Sequence, residues 1–141
     1  MVILAVDYGD VRTGLAVCDA LELLASPVAV LREPDANVLA QKIAEVAKAR
    51  GAQKIVVGLP RNMDGSEGFR ADACRSFGAL LQEASALPVD FQDERLTTVS
   101  AHRALNETNT RGKKRKAVVD AVSAVLILED YLRRAKNGVR P

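Results

Sequence analysis

Aromatic residues make up 4% of the 141-residue chain, with no tryptophan and two tyrosines, so stacking on single-stranded bases is not expected as its main source of affinity, and recognition of backbone and shape is expected instead. Softer metal ligands are as scarce. His102 is the single histidine and cannot form a zinc site alone. Cys18 and Cys74 stand apart without a CxxC pair, which reads as two reduced, partly buried small hydrophobes. No run is long and apolar enough to cross a membrane, and the first apolar stretch is only five residues before a charge, without a basic region ahead of it. A cytoplasmic protein without a membrane partner is expected. The net charge of +2 argues weakly for any polyanion, but its distribution is uneven: Arg111, Lys113, Lys114, Arg115 and Lys116 lie together near the carboxyl end.

What is present is an ordinary globular composition, 48% hydrophobic and 27% charged, in a length that suits one domain over residues 1–141. Strands are expected at Val2–Asp7, Gly14–Cys18 and Pro27–Leu31, joined by turn chemistry into antiparallel pairs. Asp35 is placed to cap a helix whose apolar stripe runs Val38, Leu39, Ile43, Val46 and Ala47 to a stop at Gly51. A buried strand Lys54–Gly58, a loop Leu59–Gly68 and a helix Phe69–Ala84 follow, then a fifth strand Val89–Gln92. Beyond it, Thr97 or Thr98 caps an expected helix Val99–Leu105, a polar connection covers Asn106–Lys114, and a closing helix runs Arg115–Lys136. Hairpin-linked strands followed by alternating helices and strands predict an α/β fold with a five-stranded mixed sheet in the order 3-2-1-4-5, strand 2 antiparallel, flanked by helices.

Two aspartates sit badly in this scheme. Asp7 ends the apolar run Val2–Val6, and Asp120 is the only charge in the twelve residues from Ala117 to Leu128. A carboxylate withdrawn from water needs a cation, hydrogen bonds or a metal, so two of them suggest one shared cation.

The segments VILAVDYGDVRTGLAVCD, VVGLPRNMDGSEG, DERLTTVSA and VDAVSAVLILEDYL, in this order and spacing, closely resemble the YqgF/RuvX family of ribonuclease H-like proteins. The resemblance implies a metal-dependent endonuclease whose catalytic and metal-binding carboxylates are Asp7, Glu94 and Asp120. Physical chemistry points to the same three: hydrolysis of a phosphodiester suits two hard divalent ions, Mg2+ or Mn2+, held by carboxylates and water. Asp93 is able to exchange roles with Glu94, because neighbouring strand residues face opposite sides and the register is open.

Candidate substrate contacts are Arg12, in the turn beside Asp7, where it either neutralises that carboxylate or contacts the scissile strand; Arg61 and Asn62, in the glycine-rich loop; Arg95 and Thr97, flanking Glu94; and Lys113, Lys114, Arg115 and Lys116, leading into the Asp120 helix. The family's function is described in two ways: resolution of Holliday junctions in DNA recombination and repair, taken here as the first expectation, and maturation of the 5′ end of pre-16S rRNA in ribosome biogenesis, the alternative. Paired nicks in a junction call for a homodimer, whereas an RNA trimmer works as a monomer. Two rival classes are a non-catalytic nucleic acid binding module and an actin-like ATPase relative. The first is disfavoured by the presence of all three acids, the second by a length that supplies one lobe instead of two.

Overall fold

The computed structural model describes residues 1–62, 64–94 and 113–136, the last stretch by its helical backbone alone as far as residue 121. Strand β1 (Ile3–Tyr8) folds back on β2 (Thr13–Cys18), with Asp7 opposite Gly14 and Leu4 opposite Val17. Antiparallel β3 (Ala25–Leu31) pairs with β2 and forms one edge of the sheet, where Pro27 removes no needed ladder bond. The register slips between Leu15 and Ala16, opposite Ala29 and Pro27.

Helix α1 (Ala36–Arg50) starts where expected, because the Asp35 carboxylate accepts from the amides of Asn37 at 2.9 Å and Val38 at 3.1 Å. It stops at Gly51, whose φ of 69° closes the last turn. Strand β4 (Lys54–Leu59) lies parallel to β1, α2 (Phe69–Ser85) returns the chain, and β5 (Val89–Asp93) lies parallel to β4. Helix α3 (Lys113–Lys136) closes the described structure, starting two residues before the expected Arg115 and ending at Lys136 as expected. The strand order is β3-β2-β1-β4-β5, with β2 alone antiparallel to its neighbours. The expected helix over Val99–Leu105 lies outside the described residues.

Alternation along the strands divides the core in two. Leu4, Val6, Leu15, Ile55 and Val57 pack under α1 and α2 with Ile43, Phe77 and Leu81. Ile3, Ala5, Ala16 and Val56 pack under α3 with Ala124, Ile127, Leu128 and Tyr131. Each fully buried Leu, Ile or Phe is worth roughly 1.5–3 kcal/mol, so the two clusters carry most of the stabilisation. Val38 departs from the predicted stripe and is 42% exposed. In the first turn of α1 the core-facing positions fall to Leu39 and Ala40, which leaves Val38 on the rim.

The direction of α3 follows from two contacts. The Tyr131 hydroxyl donates to Asp90 at 2.8 Å and accepts from Lys54 at 2.8 Å, which fixes that turn over the first residues of β4 and β5. One turn earlier, Ile127 packs against Gly58, near the other end of β4. The helix therefore runs antiparallel to these strands, and its amino-terminal half heads for their carboxyl edge.

Candidate active site

Asp7 is two residues beyond Ala5 and so faces α3, at 8% exposure near the end of β1. The register that pairs Val6 with Val57 brings Gly58 beside it on β4. On the far side of β4, Asp90 bonds Tyr131 of α3, and the same parity carries Gln92 and Glu94 toward α3. Glu94 is 4% exposed, and its amide donates to the Leu59 carbonyl at 3.1 Å, prolonging the β4–β5 pairing by one residue.

Gly58 makes room for this arrangement. A Cβ there would lie 3.1 Å from the Glu94 carboxyl carbon and 2.6 Å from Cδ1 of Ile127. The Glu94 carboxylate thus rests over β4 at a residue with no side chain. Asp7 and Glu94 come from the strands flanking β4, about 10 Å apart at the backbone by sheet spacing. Position 120 lies on α3 in the stripe of Ala124, Ile127 and Tyr131, about 10 Å before Ile127 along the axis, toward the same edge. The Asp120 side chain lies outside the described residues, as do Arg95 and Thr97 and the side chains of Lys113, Lys114, Arg115 and Lys116. Among the described residues no group of three His, Cys, Asp or Glu forms a ready metal cage.

Asp93 takes the opposite face. Its carboxylate lies 3.3 Å from Nη1 of Arg61, on the side of Val89 and Phe91. Arg61 is held a second time by Glu67, and Arg75 grips the same carboxylate with both arms, at 2.6 and 2.7 Å. These hydrogen bonds, Arg75 foremost, pull the Glu67 carboxyl down to about 2. Asn62, although exposed, bonds within its own loop, donating to Ser66 Oγ at 2.9 Å, and Ser66 Oγ donates in turn to Asp64 at 2.6 Å. Arg61 and Asn62, expected to reach for substrate, hold their own loop in this structure.

Arg12 behaves differently. It is 7% exposed, yet among the described residues it has no carboxylate partner, and its Nε has no hydrogen-bond acceptor. The neighbouring Gly9 closes the hairpin so tightly that a side chain there would run into the Arg12 carbonyl.

A family model described as "RuvX: Holliday junction resolvase" matches residues 1–134. The chain belongs to the RuvX family. RuvX relatives include a protein of Leuconostoc mesenteroides, 42% identical over 135 residues covering 94% of each chain. Another, from Paracoccus denitrificans, is 44% identical over 130 residues, 92% of this chain and 82% of that one. Both carry the name "Putative pre-16S rRNA nuclease". Among solved structures, T. thermophilus RuvC in complex with a Holliday junction substrate superimposes with a TM-score of 0.61 at 15% identity, covering 98% of this chain and 96% of that one. The fowlpox virus Holliday junction resolvase gives 0.52 at 12% identity, covering 94% and 99%. At these identities the likeness is one of fold, and that fold is ribonuclease H-like.

Two features of this RuvX site were not visible in the sequence. Gly58 is expected as the last residue of the strand Lys54–Gly58, but only the sheet shows that its missing side chain makes room for Glu94 and Ile127. Phe69 reads as the first apolar residue of a helix, and the structure leaves it facing water at 83% exposure.

Proposed function

We propose that this RuvX protein is a divalent-metal-dependent endonuclease that matures the 5′ end of precursor small-subunit ribosomal RNA. The observation that carries the reading is the pair Asp7 and Glu94, buried on one face of the sheet on either side of Gly58. Two nearly buried carboxylates at one sheet edge are a hard-oxygen donor set, which suits Mg2+ or Mn2+ and requires neither histidine nor cysteine. By the family resemblance Asp120 supplies a third. Bound there, such ions supply an activated water and stabilise charge on the leaving oxygen.

The protein's own part is positional. Asp7 is fixed by its pairing with Gly14 of β2 and by Val6 before it, which pairs with Val57 of β4, and Glu94 is fixed by the hydrogen bond from its amide to Leu59 of β4. Neither carboxylate has far to move. Their burial limits water at the reacting edge, which strengthens each charge interaction with a phosphodiester.

The sequence alone put junction resolution first. The names of relatives at 42% and 44% identity favour precursor rRNA instead. Junction resolution is retained as a second reading, because the family model is described as a resolvase and the fold is that of RuvC. Purified protein is to be offered a 5′-extended 16S precursor fragment, a linear duplex and a four-way junction, with Mg2+, Mn2+ or EDTA. Cleavage of the precursor that needs metal and disappears in Asp7→Asn, Glu94→Gln and Asp120→Asn supports the proposal. Full activity in all three variants removes these residues from catalysis, and symmetric nicking of the junction alone moves the assignment to the second reading.

A further inference from the structure

Phe69 is the most exposed large hydrophobic residue among those described, at 83%, and it opens a helix whose start is anchored. The next residue, Arg70, donates to the Tyr8 carbonyl and to the Asp10 carboxylate, the latter at 2.6 Å, which pins the start of α2 to the β1–β2 hairpin. The Arg70 guanidinium also lies 5.7 Å over the Tyr8 ring, and Tyr8 stacks on Phe77 with centroids 4.1 Å apart and planes 3° from parallel. Tyr8 follows Asp7 directly. The same hairpin carries Val11, 61% exposed. Phe69 and Val11 thus both face solvent on segments joined to the strand that carries the candidate catalytic aspartate.

We propose that Phe69 is the platform on which an unpaired base of the nucleic acid chain stacks as that chain crosses the Asp7–Glu94 edge. The proposal rests on the nuclease reading. A rigid aromatic ring loses little freedom when a base lands on it, whereas the bases of a duplex are already stacked on each other and cannot use it. Arg70 cannot take over the role, since its guanidinium is occupied by Asp10 and Tyr8. Phe77 cannot either, because it is buried in the core. The stacked base would favour single-stranded ends and loops next to the scissile bond, as expected of an enzyme that trims a precursor extension.

The test measures binding in a Glu94→Gln background by fluorescence, using a short single-stranded RNA containing one 2-aminopurine and a blunt duplex of the same sequence. Phe69→Ala is expected to weaken the single strand about tenfold and abolish 2-aminopurine quenching, while duplex affinity stays within twofold. Phe69→Trp is expected to retain both affinity and quenching, and Phe69→Leu to lose the quenching. Unchanged melting temperatures would show that the variants are folded. Single-strand binding that ignores Phe69→Ala overturns the stacking proposal and leaves the nuclease reading standing, as does a Phe69→Ala change in sedimentation without one in RNA affinity. Absence of binding by the parent to either probe overturns both.

Discussion

A single methyl group at position 58 would press on Ile127 and on the Glu94 carboxyl at once. Gly58→Ala is therefore expected to cost about 1–3 kcal/mol by overpacking, and to lower nuclease activity by more than the stability loss explains. Thermal melts and turnover at a temperature where the variant is fully folded separate the two effects; wild-type turnover in a folded variant would show that Glu94 is not held by this contact. Arg12 poses the reverse case. A buried cation without a carboxylate partner among the described residues weakens the fold that contains it, so Arg12→Met is expected to leave the melting temperature unchanged or raise it by a few degrees. The same change should reduce nucleic acid affinity and lower the salt slope of binding by about one ion. A large drop in melting temperature would show that Arg12 serves the fold. At this scale the sequence was informative about Asp7, because a charge ending an apolar run is conspicuous. It was not informative about Asp93 against Glu94, because their faces depend on where β5 starts its alternation, and that parity is set by Asp90 meeting Tyr131 across 41 positions.

The loop from β4 to α2 is tied down by charge. Arg75 and Arg61 hold Glu67, and Arg61 also reaches Asp93, so the loop is fastened to both α2 and β5. Because the folded Glu67 carboxyl titrates near 2, below its ordinary value, this clasp supports the fold fully above the usual carboxylate range and lets go as pH falls toward 2. Carboxyl NMR is expected to find Glu67 still ionised at about pH 3, where most free glutamates are protonated. Glu67→Gln should remove that titration and speed amide exchange in residues 64–68, and a Glu67 midpoint in the ordinary range would refute the clasp. The elements themselves were largely legible because their signals are local. Asp35 capped α1 and Gly51 ended it as read, and all five strands fell within two residues of their expected limits. The exposure of Val38 was not legible, since a valine on the edge of an apolar stripe has the same pattern whether or not a neighbour covers it.

Over the whole molecule, topology brings together what the sequence separates. The order β3-β2-β1-β4-β5 puts β1 in the middle, so that residues 7 and 94 flank one glycine, while α3 runs back toward their edge. The order was legible from the alternation of element types; the space left over Gly58 was not, because it depends on three elements meeting. This convergence has a thermodynamic consequence. Carboxylates gathered at one edge repel in the absence of a cation, and a bound divalent ion removes that repulsion and stabilises the folded state alone. Added Mg2+ or Mn2+ should therefore raise the melting temperature, by up to about 2.7 kcal/mol of stability at a hundredfold excess over the dissociation constant. Asp7→Asn should melt as high as or higher than the parent in EDTA, since one repelling charge is gone, yet respond far less to the metal. Calcium is an informative control, because its larger shell should be accommodated and give a thermal shift whether or not it supports cleavage. If Asp7→Asn is destabilised in EDTA and keeps the full metal response, Asp7 is a structural hydrogen-bond acceptor and the ion binds elsewhere.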